Sequence, residues 1–472
     1  MKRIAIITLI ITLFLAASAA CAAPVNPRTM TFPPLKFQIP KSERIVMDNG
    51  ITVYLLEDHE LPVVSITAYI GVGSVYEPAG KTGLAGLTGA VMRSGGAIDL
   101  PPESMDSELE FMASSVESSI GTDVGNASMS CLKKNLDRTL QIFSRLLMAP
   151  AFREDRVELA RKKTIEALRR ENDNPKEVAD RELNKAIYRG SQLGRHATIE
   201  SVNAITRADM VSFHSSFFRP NNVILSIAGD FTRNEILEKL NRVFTGWKQE
   251  RISFPPVALP GPELKPAVYL VQKDINQSVI RMGHLGIDKS NPDIYALRVM
   301  DFILGRGGFE SRLMSEVRTS QGLAYNVESD FSIGRRYPGT FVAETETKAE
   351  STAKAIGLMK RIIAGMTERP VTETELRQAK DSIISSFIFG FTNTSSVVNQ
   401  QAMLDYYGYP KGYLENYRGK IAAVAREDVL RVARKYLHPE KMILVVVGDG
   451  KKFDKPLSLF GEVREIKLKE GQ

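Results

Sequence analysis

The chain has 472 residues, 43% hydrophobic and 25% charged, the composition of a folded globular protein with length for two to four domains. Its 62 Lys and Arg outnumber 55 Asp and Glu by only seven, a thin excess over such a length, and we read no nucleic-acid partner from it. Two cysteines, Cys21 and Cys131, cannot support a disulfide framework.

Met1-Lys2-Arg3, an apolar run over 4–15 and the small residues of 16–23 have the form of a secretory signal peptide, placed at 1–22. The expected location is the periplasm. A lipoprotein anchored at Cys21 is the competing reading, although Ser18 stands where such signals carry a large aliphatic residue. Nothing after this leader is long and apolar enough to span a bilayer.

Runs at 51–56 and 63–70 read as strands, and 83–92 as a helix that carries two poor helix formers, Gly86 and Gly89. A further helix is expected at 102–112 and a hairpin over 115–131. Apolar residues at helical spacing predict helices over 135–147 and 156–170. Asn172-Asp173-Asn174-Pro175 closes the second of these, and 177–188 restarts it. A buried strand follows at 223–228.

The second part repeats the first. Pro220-Asn221-Asn222-Val223-Ile224-Leu225 returns as Pro439-Glu440-Lys441-Met442-Ile443-Leu444, and Gly229-Asp230 as Gly448-Asp449, both at an offset of 219. Val53-Tyr54-Leu55 returns as Val268-Tyr269-Leu270 at 215. Matches in register to this extent mean a tandem duplication. Between the copies lies Ser253-Phe254-Pro255-Pro256-Val257-Ala258-Leu259-Pro260-Gly261-Pro262, whose prolines favour an extended linker. We place the first domain at 40–250, the linker at 251–265 and the second domain at 266–455, and expect the linker to be an exposed hinge between separately packed halves. Strands are expected at 267–271, 279–283, 341–346 and 442–447, with a helix over 294–304. The expected fold class is α+β: two homologous domains, each a mostly antiparallel sheet flanked by helices.

Gly73-Ser74-Val75-Tyr76-Glu77-Pro78, running into Gly83-Leu84-Ala85-Gly86-Leu87-Thr88-Gly89-Ala90, resembles the zinc-helix segment of the inverzincin peptidases, the family of pitrilysin, insulin-degrading enzyme and mitochondrial processing peptidase. Active members carry H-x-x-E-H there: two histidines bind zinc and the glutamate activates water. Those positions fall on Gly86, Gly89 and Ala90, and the family's third ligand falls on Ala167. Glu166 is adjacent, but one helical step turns it roughly 100° away. The five histidines, His59, His196, His214, His284 and His438, offer no ligand pair at helical spacing, except that His196 and Glu200 stand four apart in what resembles a family loop. The resemblance covers about residues 44 to 449 and implies two sheet-and-helix domains whose paired assemblies close around a peptide chamber.

Ser311-Arg312-Leu313-Met314-Ser315-Glu316-Val317-Arg318 with Gln321-Gly322-Leu323-Ala324-Tyr325 resembles the family's non-zinc element. Its arginine and tyrosine hold substrate peptide groups beside the metal, and these roles carry over to Arg318 and Tyr325. Both side chains can donate to a carbonyl oxygen that gains charge during attack. A helix-end base and a strand-opening tyrosine also have ordinary structural uses. The expectation is a chain with no cofactor of its own and no peptidase activity alone. It would pair with a zinc-bearing inverzincin subunit and share a peptide substrate, or form a homodimer in isolation. The alternative is a non-enzymatic periplasmic binding or assembly module.

Overall fold

The computed structural model describes residues 37–261 and 265–468; the leader reading at 1–22, Cys21 included, and part of the linker lie outside them. From Ile39 onward the chain forms one compact unit. It holds two six-stranded sheets. The first contains β1 (Glu43–Val46), β2 (Thr52–Glu57), β3 (Val63–Ile70), β4 (Ser115–Ile120), β5 (Gly125–Leu132) and β6 (Val223–Gly229), in the spatial order β1-β2-β6-β3-β5-β4. Next come β7 (Ala267–Gln272), β8 (Gln277–Leu285), β9 (Ile287–Asp288), β10 (Ala324–Phe331), β11 (Ile333–Gly334), β12 (Thr340–Lys348), β13 (Ile443–Gly448) and β14 (Val463–Glu465). The second sheet runs β10-β12-β8-β13-β7-β14, while β9 and β11 pair separately.

The duplication holds residue by residue. Thr52 pairs with Ile224 and Ala267 with Ile443, so the offsets read from the sequence are the offsets of the ladder. Ile66 faces Ile227 as Ile280 faces Val446, and Glu117 faces Ser128 as Glu328 faces Glu344. Within each set of five equivalent strands only β2–β6 and β7–β13 are parallel. The copies differ at one edge: β1 runs antiparallel to β2, but β14 runs parallel to β7.

Central strands β6 and β13 are apolar along nearly their whole length because both faces of each sheet are covered. One face of each sheet lies in the core of its own half. The other face is covered by a helix from the opposite half. Pro175–Ile187 inserts Val178, Leu183 and Ile187 against Val271, Val279, Ile443, Val445 and Val447 of the second sheet. Burial of each such side chain contributes roughly 1.5–3 kcal/mol. Arg281 on β8 fixes this helix from the sheet side, 2.6 Å from Asp180 and 3.1 Å from Glu344. In return Thr394–Tyr406 lies on β6, β2 and β3 of the first sheet. Asn399 on it accepts from the Tyr69 hydroxyl at 3.1 Å and from Ser226, and Asp405 pairs with Arg44 at 2.9 Å.

This exchange corrects the hinge expectation: the halves do not pack separately. The linker is also pinned to the first half, where Phe254 rests against the rings of Tyr76 and Phe217, and Ala258 N–H donates to Gln192 at 2.8 Å. The helix Pro175–Ile187 begins where proline at its first position and an Asn174 cap, accepting from Lys176 N–H at 3.0 Å, end the preceding helix Glu154–Arg170. Among the described residues no helix is long and apolar enough to cross a membrane.

Candidate functional site

Helix Leu84–Ser94 buries Leu84, Leu87, Val91 and Met92 in the first core. Its N-terminus has no cap from Gly83, which sits at φ 106°. The buried Glu77 carboxylate instead accepts from Gly83 N–H at 3.1 Å and Ala85 N–H at 2.8 Å, where the helix dipole favours an anion. Burial nevertheless pushes Glu77 up to about 7, against the pull of those amides and of Arg195.

Gly86 and Ala90 lie on the exposed side of this helix, and a Cβ at Gly86 would meet no atom within 4 Å. Gly89 is different. Its Cβ would stand 2.6 Å from Ile120 N and 2.9 Å from the Ser119 carbonyl carbon, because the helix rests on the backbone of edge strand β4. Ser118 Oγ holds it there, donating to Gly89 O at 2.7 Å. Ala167 is exposed on helix Glu154–Arg170, which packs beside this one, and the neighbouring Glu166 pairs with Arg169. Gly86, Gly89, Ala90 and Ala167 carry no donor atom, and position 89 has no room for a glutamate, so zinc does not fit this site. Among the described residues no cluster of three or more His, Cys, Asp or Glu is placed to hold a metal ion.

The histidines serve local structure. His59 pairs with Asp230 at 2.7 Å, and Asp230 also takes Lys133 at 2.8 Å. His196 pairs with Glu171 at 2.7 Å, which puts its ring to ordinary use. His214 and His284 are buried and pushed down to about 4 by that burial, each bonded to a backbone carbonyl. Cys131 is buried and its thiol is pushed up to about 11, far from a nucleophile's range.

Arg318 and Tyr325 come together. Arg318 belongs to the π-helical turn Met314–Ser320, a geometry found mostly as short segments at functional sites. Gly322 at φ 62° reverses the chain and donates to Arg318 O at 2.9 Å. A register shift between Ala324 and Val327 in the β10–β12 ladder accompanies an 84% exposed Tyr325. The guanidinium lies 4.6 Å from the centre of the Tyr325 ring and 4.7 Å from that of Phe309, which is 68% exposed. Each stack contributes about 0.5–1 kcal/mol at an exposed site and orients the fork. Sequence reasoning did not single out Phe309; the aromatic that closes the glycine run Gly305-Arg306-Gly307-Gly308 was the available signal. A 460 Å3 cavity adjoins Tyr325, with Arg281, Glu328 and Glu344 in its wall. Burial, with Asp180 and Glu328 nearby, pushes Glu344 upward against the attraction of Arg281.

The zinc positions and the Arg318 element lie at corresponding edges of the two sheets, the first beside β4 and the second beside β10. Residues 52–199 match the family profile "Insulinase (Peptidase family M16)", and 204–383 match "Peptidase M16 inactive domain". The chain is 25% identical over 408 residues to the "non-peptidase homolog YmxG" of Helicobacter pylori, covering 85% of this chain and 93% of that one. It is 26% identical over 312 residues to an "uncharacterized zinc protease" of Mycobacterium leprae, covering 65% and 69%. Among solved structures it resembles a peptidase M16 inactive domain from Pseudomonas fluorescens, with TM-score 0.78, 25% identity, and 86% and 98% of the two chains covered. The fold also matches the periplasmic protease PqqL of Escherichia coli, with TM-score 0.73 at 16% identity, spanning 91% of this chain but 49% of that one.

Proposed function

The chain belongs to the M16 peptidase family, and from that premise we propose that it is the zinc-free half of a two-subunit peptidase of the periplasm. A separate zinc-bearing subunit supplies the metal and the general base. This chain supplies one wall of the peptide chamber, with Arg318 and Tyr325 as its contribution to the chemistry. The observation that carries the reading is Arg318 itself, oriented between two exposed rings with its N–H groups available to a peptide carbonyl. Such donors, fixed before the substrate arrives, act where negative charge develops on that oxygen. The absence of donor atoms at Gly86, Gly89, Ala90 and Ala167 supports placing the metal in the partner. The fold also occurs as about half of one longer chain, that of PqqL, of which the match covers 49%.

The test is to isolate the native full-length protein from the envelope fraction under mild conditions. A stoichiometric second subunit carrying H-x-x-E-H and about one zinc, with peptide cleavage only by the mixture, is the expected result. A zinc-free homodimer without such a subunit would move the assignment to a binding or assembly module.

A further inference from the structure

A second cavity, about 720 Å3, lies where the exchanged helix Thr394–Tyr406 meets the second half, and neither Arg318, Tyr325 nor the zinc-position helix lines it. Its volume is that of a small-molecule pocket. One wall is aromatic. The Tyr409 and Tyr413 rings are 4.7 Å apart edge to face, and Tyr417 stacks on Phe387 at 5.1 Å. Tyr409, Tyr413 and Tyr417 thus give the cavity a largely aromatic wall, against which another ring packs well.

The charge on the lining is unbalanced. Arg298 reaches the cavity and has the Tyr417 ring 5.8 Å away; Arg335 lies 5.2 Å from the Tyr407 ring. Among the described residues neither guanidinium forms an ion pair with a carboxylate. Arg306, by contrast, is matched by Asp330. The acid in the lining is Asp301, deeply buried and already bonded to Ser329 Oγ at 2.8 Å. Two guanidiniums therefore face one committed carboxylate.

A ligand that satisfies these features together has a flat ring for the aromatic wall and an oxyanion for the guanidiniums. We propose that this cavity binds a small aromatic acid, with its carboxylate or equivalent oxyanion on Arg298 and Arg335 and its ring among Tyr409, Tyr413 and Tyr417. Arginine suits the anion because its planar fork pairs with carboxylate in two parallel hydrogen bonds. Sulfonate and phosphate share that chemistry, and the measurement separates them.

The experiment is calorimetric titration of the full-length protein with a hydroxynaphthoate, the matching naphthalene sulfonate and phosphate, and the neutral hydroxymethyl analogue. One site per chain is expected, with the neutral analogue at least about 10-fold weaker, as loss of a charged hydrogen bond implies. Arg298→Gln should weaken the acid by roughly 10- to 100-fold. Equal binding of acid and neutral analogue to the unaltered protein overturns the proposal without any variant. Absence of saturable binding, or an acid affinity unchanged in a folded Arg298→Gln protein, overturns it as well.

Discussion

In each copy a glycine brings a helical segment onto the backbone of the sheet's edge strand. Gly89 does this at β4; Gly305, at the end of the helix beginning at Ile294, does it at β10, where a Cβ would collide with Ser329 N. Ser118 seals the first contact by donating to Gly89 O, while in the second copy the equivalent Ser329 donates to buried Asp301. Beyond the glycine the two copies diverge. The second continues into Phe309, Arg318 and Tyr325; the first continues into helix Pro102–Phe111 with no comparable guanidinium between rings. The lesson is that the first copy has not merely lost three ligands. Its general-base position is closed by the same packing that the second copy uses, so side chains alone cannot restore the site.

The comparison breaks most readily at Gly89. Gly89→Glu forces a side chain into β4 and buries an unpaired charge, and should cost roughly 4 kcal/mol or more, or prevent folding. Denaturant unfolding measures this; a stable Gly89→Glu protein would show that β4 yields and the site can reopen. Next in size are Arg318→Ala and Tyr325→Phe in the proposed complex with a zinc-bearing subunit. Turnover should fall by about 100- to 1000-fold, roughly 3–4 kcal/mol, while stability changes by less than about 1 kcal/mol. Turnover and melting temperature, followed together, separate a chemical role from a helix-end charge.

Glu77 sharpens the picture through pH. Its folded-state pKa stands above the unfolded value, near 7, so ionisation favours the unfolded chain. Stability from this group is intact below the ordinary carboxylate range, declines by about 1–3 kcal/mol as pH rises toward 7, and is flat above. Glu77→Gln should remove that slope in unfolding curves taken from pH 4 to 8; an unchanged slope would assign it to another group. The smallest effect is Gly86→Ala, which fills open space in a helix and should stabilise by about 0.5–1 kcal/mol in the same assay. Opposite signs at Gly86 and Gly89 would confirm that the ligand position is merely vacated and the general-base position is occupied by backbone.

The duplicated core was legible because β6 and β13 are buried on both faces, so few substitutions are tolerated and the 219 offset survives as register. The edges were not. Glu43-Arg44-Ile45-Val46 and Val463-Arg464-Glu465 are short and largely exposed, and they pair in opposite senses, so no repeat marks them. The helix exchange was hidden for another reason: Val178, Leu183 and Ile187 define an apolar face, but spacing does not say which sheet it covers. At the site, the loss of donors at Gly86, Gly89, Ala90 and Ala167 could be read from residue types alone. The contact that closes Gly89 could not, since it depends on strand β4 from elsewhere in the chain.

The exchange also sets an order of events during synthesis. The helix that covers the second sheet, Pro175–Ile187, leaves the ribosome before that sheet exists and waits for it. The first sheet has the opposite fate. Its last strand ends at Gly229, yet its cover begins only at Thr394. At about 5–20 residues per second that interval is on the order of ten seconds. Through it the face bearing Tyr69 and Ser226 lacks its own helix, and a chain stopped at the linker would never receive one.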